Sequence, residues 1–183
     1  GELFALDRHL LDKLTPSLAI RAWIGPEDAK QDIVADNFAI EVKAHHAGFS
    51  NKISISSAEQ LDFDKENFFL YKVDFSPSDL SDAVSLTSLR DSIISKIETS
   101  TEALSEFVFH FNEKTEKADS QQLLSSYILD TESVYRVTEN FPKIHLANIP
   151  PAIISDSIKY SLDVSGLDEF LLKDVLKDLI DEC

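Results

Sequence analysis

The stretch that most constrains the fold of this chain is residues 31–43, whose sequence predicts a β-hairpin. Two short apolar runs, residues 33–35 and 38–42, flank the pair Asp36-Asn37. Asp and Asn accept the left-handed backbone conformations that a two-residue hairpin turn uses. We therefore expect two antiparallel strands joined by this pair, and the turn fixes which residues face each other.

The register of this hairpin places three charged side chains on one face. Asp32 lies opposite Glu41, and directly opposed residues share a face with their Cβ atoms about 5 Å apart. Lys43 points the same way as Glu41 because side chains alternate along a strand. The other face is apolar and can meet a core; it carries Ile33, Ile40 and Val42.

Two carboxylates that face each other destabilise a hairpin unless something offsets their repulsion. Mg²⁺, or Mn²⁺ in its place, is a natural candidate, because Mg²⁺ is usually held by one or two carboxylates together with waters and phosphate oxygens. Lys43 would orient or deprotonate a water, or stabilise charge on a phosphate. The pattern is typical of a phosphodiester-cleaving centre. A surface hairpin in which Lys43 pairs with two acids fits the same spacing.

Composition bounds the function classes. The chain has 183 residues, 43% of them hydrophobic, which is enough to bury a core. Its formal net charge of −16 argues against tight autonomous DNA binding, since free-standing nucleic-acid binders usually carry a basic surface. It does not exclude a nuclease whose grip on DNA comes from metal ions, a partner or a further segment.

The single cysteine, Cys183, excludes a disulfide framework and a cysteine metal site, which favours a cytoplasmic location. No apolar run reaches the length of a membrane span, and no signal peptide is visible, so we expect no membrane association. The sequence lacks Met and begins within a predicted helix. We therefore expect it to be a piece of a longer protein, without its N-terminal part.

Periodicity predicts an alternation of helices and strands along the chain. Helices are expected over residues 1–14, from Ser56 or Ser57 onward, over 80–117 with a break near 99–101, and over 168–180. Strands are expected over residues 18–23, 52–56, 67–75, 133–139 and 157–164. We expect a nuclease core over residues 1–79, a helical segment over 80–118, and a C-terminal β-hairpin and helix over 119–183 that extend the same domain.

Two further polar residues each have two interpretations. Glu2 is either an acid favoured by the positive end of the first helix or a third carboxylate aimed at the hairpin. Gln60 is either the partner of Ser57 in a capping box or a residue of the active site. The candidate DNA contacts are His45, Lys52 and Ser56.

The chain resembles the PD-(D/E)XK nucleases. The resemblance rests on Asp32 followed one strand later by Glu41-Val-Lys43. Within that superfamily the chain is most similar to the bacterial "PD-(D/E)XK motif protein" family found near restriction and phage-defence genes. The pieces behind the narrower match are Gly1-Glu-Leu3, Trp23-Ile-Gly-Pro26, Gln31-Asp32, Ala39-Ile-Glu-Val-Lys43, Ile55-Ser-Ser-Ala-Glu-Gln-Leu61 and Tyr135-Arg-Val-Thr-Glu-Asn-Phe-Pro142.

The resemblance implies a restriction-endonuclease-like α/β fold with an αβββαβ core. It implies that Asp32, Glu41, the Val42 carbonyl and Glu2 serve as metal ligands, that Lys43 is the catalytic lysine, and that Gln60 belongs to the active site. Gln31 departs from the pattern, because it stands where the motif name has Pro. The implied function is that of a Mg²⁺-dependent DNA endonuclease of a restriction or phage-defence system.

The implied partners are DNA, a second copy of the chain in a homodimer, and other proteins of the defence system. One alternative is a catalytically silent interaction module, whose helical region over residues 80–117 docks an ATPase or a methylase. A nuclease that acts on RNA or on single strands is another, since the same centre would serve it.

Overall fold

A mixed four-stranded sheet forms the centre of the computed structural model, which describes residues 1–25, 29–48, 51–63 and 66–172. In the described residues the strands are β1 (Ile33–Val34), β2 (Phe38–His46), β3 (Lys52–Ile55), β4 (Asn67–Pro77), β5 (Tyr127–Arg136) and β6 (Tyr160–Asp163). The order in the main sheet is β1-β2-β4-β5. Strands β2 and β4 are parallel, the outer pairs are antiparallel, and β3 and β6 form a separate antiparallel pair.

Helices connect and cover these strands. The first helix, α1, is α-helical over Glu2–Ala5, π-helical over Leu6–Leu10 and α-helical again over Leu11–Lys13. The others in the described part are α2 (Pro16–Ile24), α3 (Leu86–Ile97), α4 (Thr101–Thr115) and α5 (Ser120–Leu124). Ser85 and Asp119 begin α3 and α5 with capping boxes.

The break between α3 and α4 lies where the sequence predicts it. Ser100 begins α4 because its side chain accepts a hydrogen bond from the backbone N–H of Ala103. The predicted helical region of residues 80–117 is therefore two helices.

The main sheet has a different layer on each face. One face packs against α1 to α4, and the central strand contributes Phe69, Tyr71 and Val73 to this core. The other face packs against the small β3–β6 sheet, and here β4 contributes Phe68 and Leu70. A mixed sheet flanked by helices agrees with the expected α/β, restriction-endonuclease-like fold.

The structure confirms the register of the predicted hairpin. Ile33 pairs with Ile40 and Val34 pairs with Ala39. The backbone N–H of Ala35 donates to the Phe38 carbonyl over 2.9 Å and closes the turn. Asp36-Asn37 does not use the left-handed conformation, since Gly25 and Gly48 alone have positive φ among the described residues.

Residues 18–23 form a helix, so the prediction of a strand there is wrong. They lie within α2, which has Pro16 in its first turn and ends at Gly25, where φ is 66°. Pro16 suits the start of a helix because its fixed φ is already helical. The buried residues of α2, Ala19, Ile20, Ala22 and Trp23, recur at the spacing of a helix rather than alternating.

The helix predicted from Ser56 onward is shorter than expected. It is a single 3₁₀ turn over Ala58–Gln60, and the Ser57 side chain makes no capping hydrogen bond. The Gln60 side chain is used elsewhere, because it accepts a hydrogen bond from the backbone N–H of Ser56. The capping-box interpretation of Gln60 is therefore wrong.

The C-terminal strands do not form the hairpin that the sequence suggests. Strand β5 starts earlier than predicted and pairs with β4, whereas β6 pairs with β3 in the small sheet. Of the predicted last helix, Asp168–Phe170 form a 3₁₀ turn, and residues 173–180 lie outside the described part. Among the described residues no helix has the length and apolar character needed to cross a membrane.

Candidate active site

Glu41 is the most deeply buried charged residue of the site. It lies in the middle of β2, on the sheet face that carries the β3–β6 layer, and none of its surface is exposed. Lys43 Nζ lies 2.7 Å from Glu41 Oε1 and forms an ion pair with it. Neither Glu41 oxygen receives a well-aligned hydrogen bond from the described residues. A buried carboxylate in this condition is costly, because burial is tolerated best when every oxygen is paired.

Asp32 lies beside Glu41, immediately before β1. Its Oδ2 accepts a hydrogen bond of 2.7 Å from the backbone N–H of Val42, on the neighbouring strand. This bond holds the carboxylate against the strand that carries Glu41 and Lys43. The predicted grouping of two carboxylates and one ammonium is therefore present, although Asp32 reaches it from just outside the ladder.

The surroundings raise the pKa values of both carboxyl groups. Burial is the main cause for Asp32, and the hydrogen bond from Val42 offsets part of it. Burial, followed by repulsion from Asp32, raises the pKa of Glu41 to about 8, against which the attraction of Lys43 acts only in part. Without a cation, burial and Asp32 therefore favour the protonated form of Glu41, and the contact with Lys43 opposes this. Strongly perturbed carboxyl pKa values are typical of functional sites.

Lys43 is held from two sides. Besides its ion pair with Glu41, its Nζ donates a hydrogen bond of 3.1 Å to Gln60 Oε1. The same Gln60 oxygen accepts the Ser56 backbone N–H over 2.8 Å. Gln60 thus orients Lys43 and ties the segment after β3 to the motif strand.

Gln31 fixes this segment from the hairpin side. Its buried amide Nε2 donates to the carbonyl oxygens of Glu59 and Gln60, over 3.1 and 3.2 Å. The residue that departs from the motif name thereby supports Gln60. Proline has no side-chain donor and could not replace these contacts.

Glu2 lies within electrostatic range of Asp32 and Glu41, since its charge contributes to the raised pKa values of both. Its Oε2 also accepts hydrogen bonds from Lys114 Nζ over 2.7 Å and from Trp23 Nε1 over 3.3 Å. In the structure the Glu2 side chain therefore binds to residues of the helical layer. Whether it joins a metal site stays a prediction.

The donor set suits a hard divalent cation. Among the described residues, no group of three His, Cys, Asp or Glu side chains is arranged to hold a metal ion. Two carboxylates are nevertheless sufficient for Mg²⁺, which keeps several waters and binds substrate phosphates. A cation would contact the Glu41 oxygens, which lack well-aligned hydrogen bonds among the described residues, and would offset the repulsion from Asp32.

The three predicted DNA contacts lie in different places. His45 shares the sheet face of Glu41 and Lys43, two residues further along β2. Ser56 contacts Gln60 through its backbone N–H. Lys52 is more distant, since it pairs with Asp163 in the β3–β6 sheet. The structure brings His45 and Ser56 to the site and leaves Lys52 at the end of the small sheet.

Sequence reasoning missed Lys72 and Asp74, on the strand next to the motif. Lys72 pairs directly with Lys43 in the parallel β2–β4 ladder, and Asp74 pairs with His45. Only 8% of the Lys72 surface is exposed. A lysine within an otherwise apolar central strand is the sequence signal that could have revealed it.

A comparison with sequence models of protein families identifies the family of this chain. The family described as "Putative PD-(D/E)XK family member, (DUF4420)" matches residues 1–165. The chain belongs to this family. The match confirms the PD-(D/E)XK resemblance, and with it a nuclease-like fold. No curated protein and no solved structure matches the chain.

Membership of the PD-(D/E)XK family helps to interpret the grouping of two carboxylates and one lysine. Asp32, Glu41 and Lys43 remain the residues that the sequence resemblance predicts for the acidic and basic positions of the motif. They lie together around β2, where Asp32 accepts the backbone N–H of Val42 and Lys43 pairs with Glu41.

Proposed function

We propose that this chain is a metal-dependent DNA endonuclease that hydrolyses phosphodiester bonds. The observation that carries the proposal is the state of Glu41: a fully buried carboxylate without a well-aligned donor, beside a second carboxylate and a lysine. An arrangement this unfavourable in the empty fold is favourable once a cation and a phosphate are present. The non-catalytic alternative, a surface hairpin in which Lys43 pairs with two acids, does not require burial of Glu41.

In the proposed reaction Asp32 and Glu41 would hold the cation, with the Val42 carbonyl as a candidate further ligand. A divalent cation there would neutralise charge on the phosphate and help to activate the attacking water. Lys43, oriented by Gln60, orients the water or stabilises charge on the phosphate. The water gives up one proton as its oxygen bonds to phosphorus, the bond to the leaving oxygen breaks, and that oxygen takes up a proton from solvent.

The proposed setting is a restriction or phage-defence system, in which the chain is the nuclease component. This part of the proposal rests on the resemblance carried by the motif pieces. DNA is the proposed substrate, and a homodimer would allow both strands of a duplex to be cut. Other proteins of the system would supply the DNA-binding affinity that a chain with a net charge of −16 lacks.

Plasmid cleavage by the purified chain tests the proposal. Supercoiled DNA is incubated with Mg²⁺ or Mn²⁺, and parallel reactions contain EDTA or the Lys43→Ala variant. We expect nicked or linear product with metal, none with EDTA, and none with the variant. Lys43→Gln serves as a second variant, since its shorter side chain keeps an N–H donor but removes the positive charge.

Cleavage by Lys43→Ala at the wild-type rate would contradict the mechanism. If the wild type neither cleaves nor gains thermal stability with metal, the interaction module becomes the better interpretation. The substrate class is tested in the same way, with duplex DNA, single-stranded DNA and RNA of one sequence compared side by side.

A further inference from the structure

The parallel ladder between β2 and β4 places two lysines side by side on the face of the site. Lys43 on β2 pairs with Lys72 on β4. Neighbouring strands lie about 4.8 Å apart, and like charges directly opposed destabilise a sheet. In a chain with nearly twice as many acidic as basic residues, 33 against 17, two adjacent and mostly buried ammonium groups need an explanation.

Each lysine is held by its own carboxylate, in opposite directions along the sheet. Lys43 pairs with Glu41, two residues before it, whereas Lys72 donates to Asp74, two residues after it. Because β2 and β4 run parallel, these contacts draw the two ammonium groups apart along the strand direction. They are therefore placed to contact separate anionic groups rather than the same one.

Polar residues surround Lys72 on this face of the sheet and help to position it. Asp74 Oδ2 also accepts the Thr131 hydroxyl over 2.6 Å, so a residue of β5 helps to fix Asp74. His45, paired with Asp74 in the ladder, has a buried Nδ1 that receives no hydrogen bond from the described residues. The side chains of Lys72 and Asp74 remain 10% and 15% exposed, so part of the pair stays accessible to solvent.

We propose that Lys72 is a second phosphate-binding lysine, which contacts the phosphate next to the one that Lys43 contacts. Asp74 and Thr131 position it, and His45 is the ladder neighbour of Asp74 on the same face of the sheet. The site then takes a chain of consecutive phosphodiesters, a polynucleotide, in preference to an isolated phosphodiester. This inference rests on the proposed function, because it uses Lys43 as the contact to the cleaved phosphate.

The experiment compares a polynucleotide with a single phosphodiester. The wild type and the Lys72→Gln/Asp74→Asn double variant are assayed with Mn²⁺ on a labelled DNA oligonucleotide and on bis(p-nitrophenyl) phosphate. The double variant removes the ion pair without changing the net charge or leaving a buried charge unpaired. Arg90→Gln/Asp91→Asn is the matched control, since it removes an exposed ion pair on α3.

We expect the double variant to lose about tenfold or more in kcat/KM on DNA relative to its loss on bis(p-nitrophenyl) phosphate, mainly through KM. Lys72→Arg should restore most of the DNA activity. In EDTA, the slope of log K for DNA binding against log salt should decrease in magnitude by about one phosphate contact. The control pair should change neither quantity.

Equal losses on both substrates, with an unchanged salt slope, would overturn the inference and leave Lys72–Asp74 as a structural ion pair. If the wild type hydrolyses neither substrate, the proposed function fails, and the salt slope alone then decides the role of Lys72. If the wild type binds no DNA in that titration, the inference fails as well. Thermal unfolding of each variant separates a loss of binding from a loss of folding.

Discussion

The ionisation of Glu41 is central to the chemistry of the site. Burial and the nearby Asp32 raise its pKa to about 8, from a usual value of 4.5. The folded chain therefore favours the neutral carboxyl group, and the unfolded chain does not. Such a group contributes stability that is present below the unfolded pKa and lost as the pH rises through the folded pKa.

Replacing Glu41 by Gln should therefore stabilise the metal-free chain at high pH. In EDTA we expect Glu41→Gln to melt above the wild type at about pH 9 and to lose this advantage at about pH 4, because the amide never ionises. Thermal unfolding across this range measures the effect. Glu98→Gln, at the exposed end of α3, is the control. A wild type more stable than Glu41→Gln at high pH would contradict the assigned cause.

The effect of metal should depend on pH for the same reason. A cation at Glu41 must displace its proton, so the rise in Tm produced by Mg²⁺ or Mn²⁺ should be larger at about pH 8.5 than at about pH 6.5. Thermal shift titrations with each metal measure this. In Glu41→Gln the shift should be small at both values. A shift that is independent of pH in the wild type would place the cation elsewhere.

Gln60 should act through Lys43. Gln60→Ala removes one of the two groups that hold Lys43 Nζ, and a hydrogen bond to a charged group is worth about 1.5–3 kcal/mol. We expect kcat for DNA cleavage to decrease by about tenfold or more, with little change in KM. Gln60→Glu keeps the acceptor and should retain more activity. Unchanged kcat in Gln60→Ala would remove Gln60 from the site.

At the scale of elements, local signals were sufficient for some parts of the fold. The hairpin register followed from its two apolar runs and a short turn, and the break between α3 and α4 followed from the Thr99-Ser100 run. The prediction of a strand over residues 18–23 is wrong because a short apolar run suits either a helix or a strand. Pro16 predicts the end of the first helix, but it also suits the first position of the next one.

The rest of the site could not be predicted from local patterns. The pairing of Lys72 with Lys43 requires β4 to lie parallel to β2, a contact between segments 29 residues apart in the chain. The role of Gln31 likewise depends on where the segment after β3 packs. Periodicity reports which face a residue occupies, and it does not report which distant residue lies across from it.

A buried polar network joins α1 to the central sheet. His9 Nε2 lies 2.9 Å from Tyr71 Oη and 3.1 Å from Glu132 Oε2, and the Tyr71 hydroxyl donates to Glu132 over 2.7 Å. Burial lowers the pKa of His9, although Glu132 and Asp12 act against it. The folded state therefore favours the neutral imidazole, and its stability decreases as the pH falls below the unfolded value of 6.5.

We expect the His9→Gln variant to lose less stability than the wild type between about pH 7 and about pH 5. The amide can still donate to Glu132 but does not titrate. Urea unfolding at a series of pH values measures the difference. His110→Gln, on α4, is the control for the loss of a histidine outside this network. Identical pH dependence in His9→Gln would show that the network does not couple to protonation.

At the scale of the whole molecule, the site lies where the two layers of the fold meet. The sheet holds Ile40 and Val42 toward the helices and Glu41 and Lys43 toward the β3–β6 side. The net charge of −16 repels anions, whereas this face of the sheet carries the adjacent Lys43 and Lys72. This contrast favours entry of a phosphate chain only where a cation or a partner first reduces the repulsion.

The two layers should unfold together, because they share the same central strand. Phe68 and Phe69 are adjacent on β4 and fully buried, one in each layer. Phe-to-Ala changes in cores cost about 3–5 kcal/mol, and a chain of this size shifts about 2–4 °C per kcal/mol. We therefore expect Phe68→Ala and Phe69→Ala each to lower the Tm of a single transition by about 6–20 °C.

Calorimetry, with the ratio of calorimetric to van't Hoff enthalpy, tests whether that transition is cooperative. Val108→Ala, on the exposed side of α4, is the control and should shift the Tm little. Two transitions, with each variant lowering a different one, would mean that the helical layer and the β3–β6 layer are separate cooperative units. The site would then lie at a boundary that can open, and the effects of metal on stability would appear only in the transition that contains Glu41.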